Sequence, residues 1–240
     1  MTELPLLIIP YKSDTERDAV AAAWQARGWE VLRLDRFWEP PVLEAERVKI
    51  YGGIAFAYVV AQKLNLDLLS PSDTLILDLD RRWTSRQMHP AALAELDTLP
   101  FPTFIKPASP KLFDAQVYAD AAAVRRATKG LKADTQLLVS DIVSFTSEYR
   151  CWCLQGQVLT TACYRGPGQS PDPSAWVTDL LQAYQLFAPM VVDVGFIPDQ
   201  GWAVVEFNSC WGAGLNGADP AQAVDCIAAA TRYDESQVVS

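Results

Sequence analysis

Asp193, Glu206 and Asn208 are two carboxylates and an amide at spacings that a β-hairpin would bring to one face. Residues 191–208 read as two strands around a turn at 198–201. With those four residues as the loop, Asp193 falls opposite Glu206, and alternation of side chains puts Asn208 on the same face. Val192, Val194, Phe196, Ala203, Val205 and Phe207 share the other face, which is expected to be core. Like charges opposed at about 4.5–5.5 Å repel. A hard divalent cation such as Mg²⁺, held through carboxylate and amide oxygens, is the natural compensation. The plain alternative is a polar hairpin face open to water, and a one-residue slip would part the acids. The sequel, residues 209–217, tips the balance toward a site. Gly212, Gly214 and Gly217 punctuate a loop whose backbone is expected to approach something closely.

Cations form two further clusters. Lys106 closes a short apolar strand, Pro107 and Pro110 stop regular pairing, and Lys111 follows in the loop. Two ammonium groups so placed can bind a polyphosphate as point charges, although a strand-end lysine is more often simply solvated. Arg150 lies mid-strand in Glu148-Tyr149-Arg150-Cys151-Trp152. A guanidinium between bulky apolar neighbours needs an anionic partner, either a ligand or Glu148 two residues away on the same face.

The elements that must position these residues begin with a βαβαβ pattern. Residues 4–9 form a continuous apolar strand, Ser13 and Glu16 have capping-box spacing, and Gly28 closes the first helix. Strands at 29–34 and 48–51 and a helix over 54–64 complete a parallel, Rossmann-like lobe. It lacks G-x-G-x-x-G, so it is not read as a dinucleotide site. Further on, a helix over 120–129, a strand at 137–141, and a hairpin turning at Gln155-Gly156 are expected. A helix opened by Asp172-Pro173 carries the apolar stripe Trp176, Leu180, Ala183, Tyr184 and Phe187. Asp219-Pro220 opens the last helix.

In this order the clusters resemble the ATP-grasp superfamily. They look most like a small clade of predicted peptide or amino-acid ligases with one arginine and two lysines in the site. The similar segments are Tyr51-Gly52-Gly53, Phe104-Ile105-Lys106-Pro107, Glu148-Tyr149-Arg150, and Trp202 to Asn208 with its Gly-rich tail. The resemblance spans residues 4 to about 230 and rests on order and spacing more than on any single motif. It implies an α/β fold, α+β in the C-terminal part, with the nucleotide site between two α+β lobes. The division is an N-terminal lobe at 1–70, a connector at 71–100 and an ATP-grasp domain at 101–240, split at 140/141 into a small lobe and a metal-binding lobe. It further implies ATP and Mg²⁺ as cofactors. Lys106, Lys111 and Asp141 would bind ATP; Asp193, Glu206 and Asn208 would hold the metal. Arg150 would be catalytic, and Gly212, Gly214 and Asn216 would belong to the substrate loop. Ser140-Asp141 departs from the glutamate pair common at this hinge. The implied reaction joins a carboxylate and an amine through an acyl phosphate; a phosphotransferase or a non-catalytic nucleotide-binding module are the alternatives.

Composition agrees with a compact enzyme. The 240 residues can bury a sizeable core. No apolar run reaches the roughly 18 residues of a membrane span. A net charge of −9 without a Lys/Arg cluster argues against nucleic acid as a partner. Five cysteines in no metal-binding pattern fit a reducing, cytoplasmic setting. A small molecule or peptide is the expected partner, and a homodimer stays open. His89 and Cys210 lack the neighbours that zinc binding or nucleophilic catalysis would need. Cys151 and Cys153 read as small core residues, and Arg81, Arg82 and Arg86 as solvated.

Overall fold

The computed structural model describes residues 4–109 and 112–233. Contacts divide the chain into two units. One comprises the chain up to Pro71, Ser147–Val194 and the chain from Glu206 on; the other comprises Ser72–Thr146 and Gly195–Val205.

The first unit opens with β1 (Leu6–Pro10), α1 (Thr15–Ala26), β2 (Glu30–Leu34), β3 (Val48–Ile50), α2 (Ile54–Leu64) and β4 (Leu66–Leu68). The parallel order β2-β1-β3 matches the βαβαβ expectation. Leu7, Ile8 and Ile9 are fully buried, as a central parallel strand covered on both faces requires. The helix cap corrects the sequence reading. Asp14, not Ser13, accepts the N–H of Arg17 at 3.1 Å, while the Ser13 hydroxyl donates to Asp18. With the capping carboxylate supplied by Asp14, Glu16 has a different task, described below.

The second unit carries α3 (Arg81–Thr84), β5 (Met88–Ala92), β6 (Thr103–Pro107), β7 (Gln116–Tyr118), α4 (Ala121–Ala127) and β8 (Gln136–Ser140). Its antiparallel sheet has the order β5-β8-β6-β7 and packs on Leu96, Ile105, Val124 and Leu137. The segment at 71–100 thus contributes an edge strand to this sheet. Arg86, expected to be solvated, is buried instead. Its Nη1 donates to the carbonyls of Thr84 and Val204, and its guanidinium lies 5.8 Å from the Phe145 ring centroid. Burial pulls its pKa down to about 10.

The chain then returns to the first unit with β9 (Ser147–Leu154), β10 (Gln157–Arg165) and α5 (Ser174–Ala183). Gln155 and Gly156 both take positive φ, 52° and 73°, as a two-residue hairpin turn demands. Next come β11 (Met190–Ile197), β12 (Gly201–Asn208), α6 (Pro220–Ala229) and β13 (Thr231–Tyr233). The sheet order is β10-β9-β11-β12, and β13 pairs with β4. Two expectations shift here. On α5 the buried residues are Val177, Leu180 and Leu181, and Phe187 is exposed beyond the helix end. On β11 Val191, Val192, Asp193 and Val194 are all buried, so the hairpin has no water-facing side at Asp193.

Candidate active site

Strand neighbours set the chemistry. With β9 beside β11, Arg150 reaches Asp193 side-on: Nε donates to Oδ1 at 2.8 Å and Nη2 to Oδ2 at 2.6 Å. Both side chains are deeply buried, at 11% and 2% exposure. Asp193 therefore receives from Arg150 the charge compensation that sequence reasoning sought in a cation. Burial pushes the Asp193 carboxyl above its usual value, and the guanidinium pulls it partly back. Burial also pulls Arg150 down, but the Asp193 hydrogen bonds and charge carry it above its usual value. The two directions disagree about the pair, and the bidentate geometry decides: two short donor contacts on one carboxylate require it to be ionised.

Glu148 is not the partner of Arg150. Its oxygens accept from the Tyr164 hydroxyl at 2.8 Å and from Arg165 Nη1 at 2.6 Å. Tyr164 in turn offers its ring to Arg150, 5.8 Å from centroid to Cζ. Burial, then the charges of Asp193 and Glu148, push the Tyr164 phenol up, so it stays a neutral donor.

Asn208 ties the acids together. Its Nδ2 donates to Asp193 Oδ2 at 3.2 Å and to Glu206 Oε1 at 3.1 Å. An electropositive amide hydrogen pair thus lies where a cation bridging both carboxylates would sit. Turning the amide would present Oδ1, so Glu206 and Asn208 form a hard-oxygen donor set that fits Mg²⁺. Among the described residues no three His, Cys, Asp or Glu side chains group as metal ligands. The trio depends on its amide.

The Gly-rich loop after β12 is held from several sides. The Gly52 N–H donates to Trp211 O at 2.9 Å, and the Tyr51 hydroxyl to Ala213 O at 2.9 Å. Arg150 Nη1 donates to Gly214 O at 2.9 Å. On the opposite edge of the loop, Glu16 accepts the N–H of Leu215 and of Asn216. Asn216 takes φ 50° and Gly217 φ 89°, left-handed positions that Asn and Gly tolerate best. Sequence reasoning missed what Glu16 and Tyr51 hold, because an acid in a helix's first turn and a Tyr after a strand carry no local sign of a partner as far as 200 residues away.

The other sequence-predicted residues lie in the second unit. Lys106 is half-buried on β6, paired in register with Leu138. Asp141 follows β8; one of its oxygens accepts the Gln87 N–H at 2.9 Å, and its own N–H returns a bond to Gln87 O. Lys111 lies outside the described residues. His89 is exposed on β5. In the first unit, Gly212 keeps ordinary contact with Gly52 O. Cys210 is fully buried, and burial pushes its thiol well up, away from the thiolate a nucleophile needs.

Residues 83–226 match a family model of the ATP-grasp domain, the second family of the clade designated by one arginine and two lysines. No curated protein matches the sequence. Among solved structures, a RimK domain protein ATP-grasp from Sphaerobacter thermophilus DSM 20745 is similar at TM-score 0.59 and 13% identity, covering 93% of this chain and 98% of that one. An L-amino acid ligase from Bacillus licheniformis is similar at TM-score 0.57 and 15% identity, covering 90% and 70%. The ATP-grasp ligase PsnB, complexed with a phosphomimetic variant of minimal precursor, Mg and ADP, is similar at TM-score 0.57 and 12% identity, covering 94% and 98%.

Proposed function

The chain belongs to the ATP-grasp domains, in the second family of the one-arginine, two-lysine clade, and from that premise we propose that it is an ATP-dependent ligase joining a carboxylate to an amine, on an amino-acid or peptide substrate. The observation that carries the reading is the buried cluster of Arg150, Asp193, Asn208 and Glu206, an arrangement of charge of both signs around one point.

The substrate carboxylate attacks the γ-phosphorus of ATP, ADP leaves, and an acyl phosphate results. An amine then attacks the acyl carbon, phosphate departs as the C–O bond breaks, and the amine loses its proton. Such transfer needs little covalent help and much charge compensation and positioning. Glu206 and Asn208 hold Mg²⁺, with Asp193 at its border, and the ion neutralises phosphate oxygens when bound. Lys106 and Lys111 serve the outer phosphates as point charges, and Asp141 uses its second oxygen toward the ribose.

Arg150 is suited to the reacting centre by its geometry. A guanidinium carries five N–H donors. Three are committed, two to Asp193 and one to Gly214 O, which leaves two to donate to a transferring phosphoryl group or an oxyanion. Because Asp193 fixes the plane of the guanidinium, those two are aimed before substrate arrives. Gly212, Gly214 and Asn216 border the entry of the acceptor.

A screen of amino acids and dipeptides for stimulated ADP release, with mass spectrometry of the products, tests the proposal. An amide product with one phosphate released per ADP supports it. A stable phosphorylated substrate would make the protein a phosphotransferase instead. Bound ATP without turnover under any substrate would leave a nucleotide-binding module.

A further inference from the structure

Glu16 stands in the first turn of α1, where an acid is ordinarily read as a complement to the helix dipole. Its oxygens face elsewhere. Oε2 accepts the N–H of Leu215 at 3.0 Å, and Oε1 accepts the N–H of Asn216 at 2.6 Å. Two consecutive loop amides converging on one carboxylate form charge-assisted bonds, stronger than neutral ones and more exacting in geometry.

Gly214 shows how closely the loop has moved in. A Cβ added there would lie 2.5 Å from Glu16 Oε2. The Gly214 backbone is not in the left-handed region, so an alanine is excluded by Glu16 and not by its own φ. The carbonyl of this same residue accepts from Arg150 Nη1. One side of this short segment is thus pinned by Glu16, and the other side pins Arg150.

Location agrees with this role. Glu16 follows β1, and Tyr51 and Gly52, which hold Ala213 and Trp211, follow β3. The loop therefore docks on the carboxyl ends of adjacent parallel strands in a sheet of order β2-β1-β3. That is where open α/β sheets gather their functional loops.

We propose that Glu16 is the positioning residue of the transfer reaction: by holding the amides of Leu215 and Asn216 it sets the Gly214 carbonyl that, with Asp193, fixes the direction of Arg150. This rests on the ligase reading for its chemical consequence, and on the hydrogen bonds for its structural one. Glu16 touches none of the residues assigned to phosphate or metal, so its loss acts on the transfer step and leaves nucleotide affinity in place.

The test combines Glu16→Ala, Glu16→Gln, Gly214→Ala and the double variant Glu16→Ala/Gly214→Ala. Turnover of Glu16→Ala is expected to fall by about a hundredfold, the scale of an ångström of misplacement at a reacting centre, with ATP affinity unchanged. Gly214→Ala should reproduce that loss by displacing the carboxylate. The double variant should be no worse than either single one, since both remove one contact. Glu16→Gln offers a single acceptor oxygen and should recover part of the activity. Independently of turnover, amide exchange at Leu215 and Asn216 should quicken by about tenfold or more in Glu16→Ala, the scale of a hydrogen bond to a charged acceptor. Additive losses in the double variant, weakened ATP binding in Glu16→Ala, or unchanged exchange at both amides would each overturn the proposal. If the wild-type protein turns over no substrate, the ligase reading fails, and the exchange measurement still decides whether Glu16 holds the loop.

Discussion

Arg150 differs from a surface ion-pair residue in having its donors apportioned in advance, two to a buried carboxylate and one to a loop carbonyl. Lysine cannot reproduce that division, because an ammonium has no planar fork. Arg150→Lys is therefore expected to keep Mg–ATP affinity while turnover falls by at least about a hundredfold, as for one lost transition-state donor; single-turnover kinetics beside ATP titration would show it. Asp193 and Glu206 are expected to separate clearly. Asp193→Asn leaves a buried guanidinium without its anion, which costs about 3–5 kcal/mol in comparable pairs, measurable by urea unfolding. Glu206→Gln should abolish Mg²⁺-dependent turnover while the unfolding midpoint stays near wild type. Lys106→Ala is expected to weaken ATP far more than AMP, and equal weakening would remove the lysine from the outer phosphates. At this scale the sequence shows which residue types converge, since alternation alone brings Asp193, Glu206 and Asn208 together. It does not show that Arg150 belongs to Asp193, because that pairing depends on β9 lying next to β11, a neighbour relation without a local signature.

Elements are legible where their signals are local. The bounds of α2, Ile54–Leu64, can be read from the sequence to the residue, and the two-residue turn at Gln155-Gly156 announces the β9–β10 hairpin. The parallel order β2-β1-β3 follows from apolar β1 and its two crossover helices. Expectation and structure part where two local signals compete or where tertiary cover decides. Ser13 yields the cap to Asp14, whose ionised carboxylate is an equally good acceptor one residue closer to the helix. β11 buries both faces where one was expected, because a strand inside a four-stranded sheet can be covered on either side whatever its polarity. Arg86 leaves water for the carbonyls of Thr84 and Val204 and the Phe145 ring, which replace its hydration. That corner of the second unit is tightly filled. A Cβ on Gly195 would fall 2.2 Å from Phe145 Cδ1. Gly195→Ala is expected to destabilise by about 1–3 kcal/mol through overpacking, read from the denaturation midpoint.

For the whole molecule, a ligand that binds the folded chain alone must stabilise it by mass action. Mg–ATP at a hundredfold excess over its dissociation constant adds about 2.7 kcal/mol. At roughly 2–4 °C per kcal/mol for a chain of this size, Tm should rise by about 5–11 °C. In Glu206→Gln the Mg²⁺-dependent part of that rise is expected to disappear; a rise independent of Mg²⁺ in the wild type would remove the ion from the site. The bond from Asn216 to Glu16 spans 200 residues of chain, and that span has a consequence in time. Long closures are slow and come after local structure, and chains of this length fold through intermediates. Strands and helices of both units can therefore be complete while the Gly-rich loop still lacks its acceptor. On refolding from denaturant, the far-UV signal should recover first and turnover should lag behind it. During synthesis the first helix leaves the ribosome long before the loop it holds, so competence arrives only once that late segment has emerged.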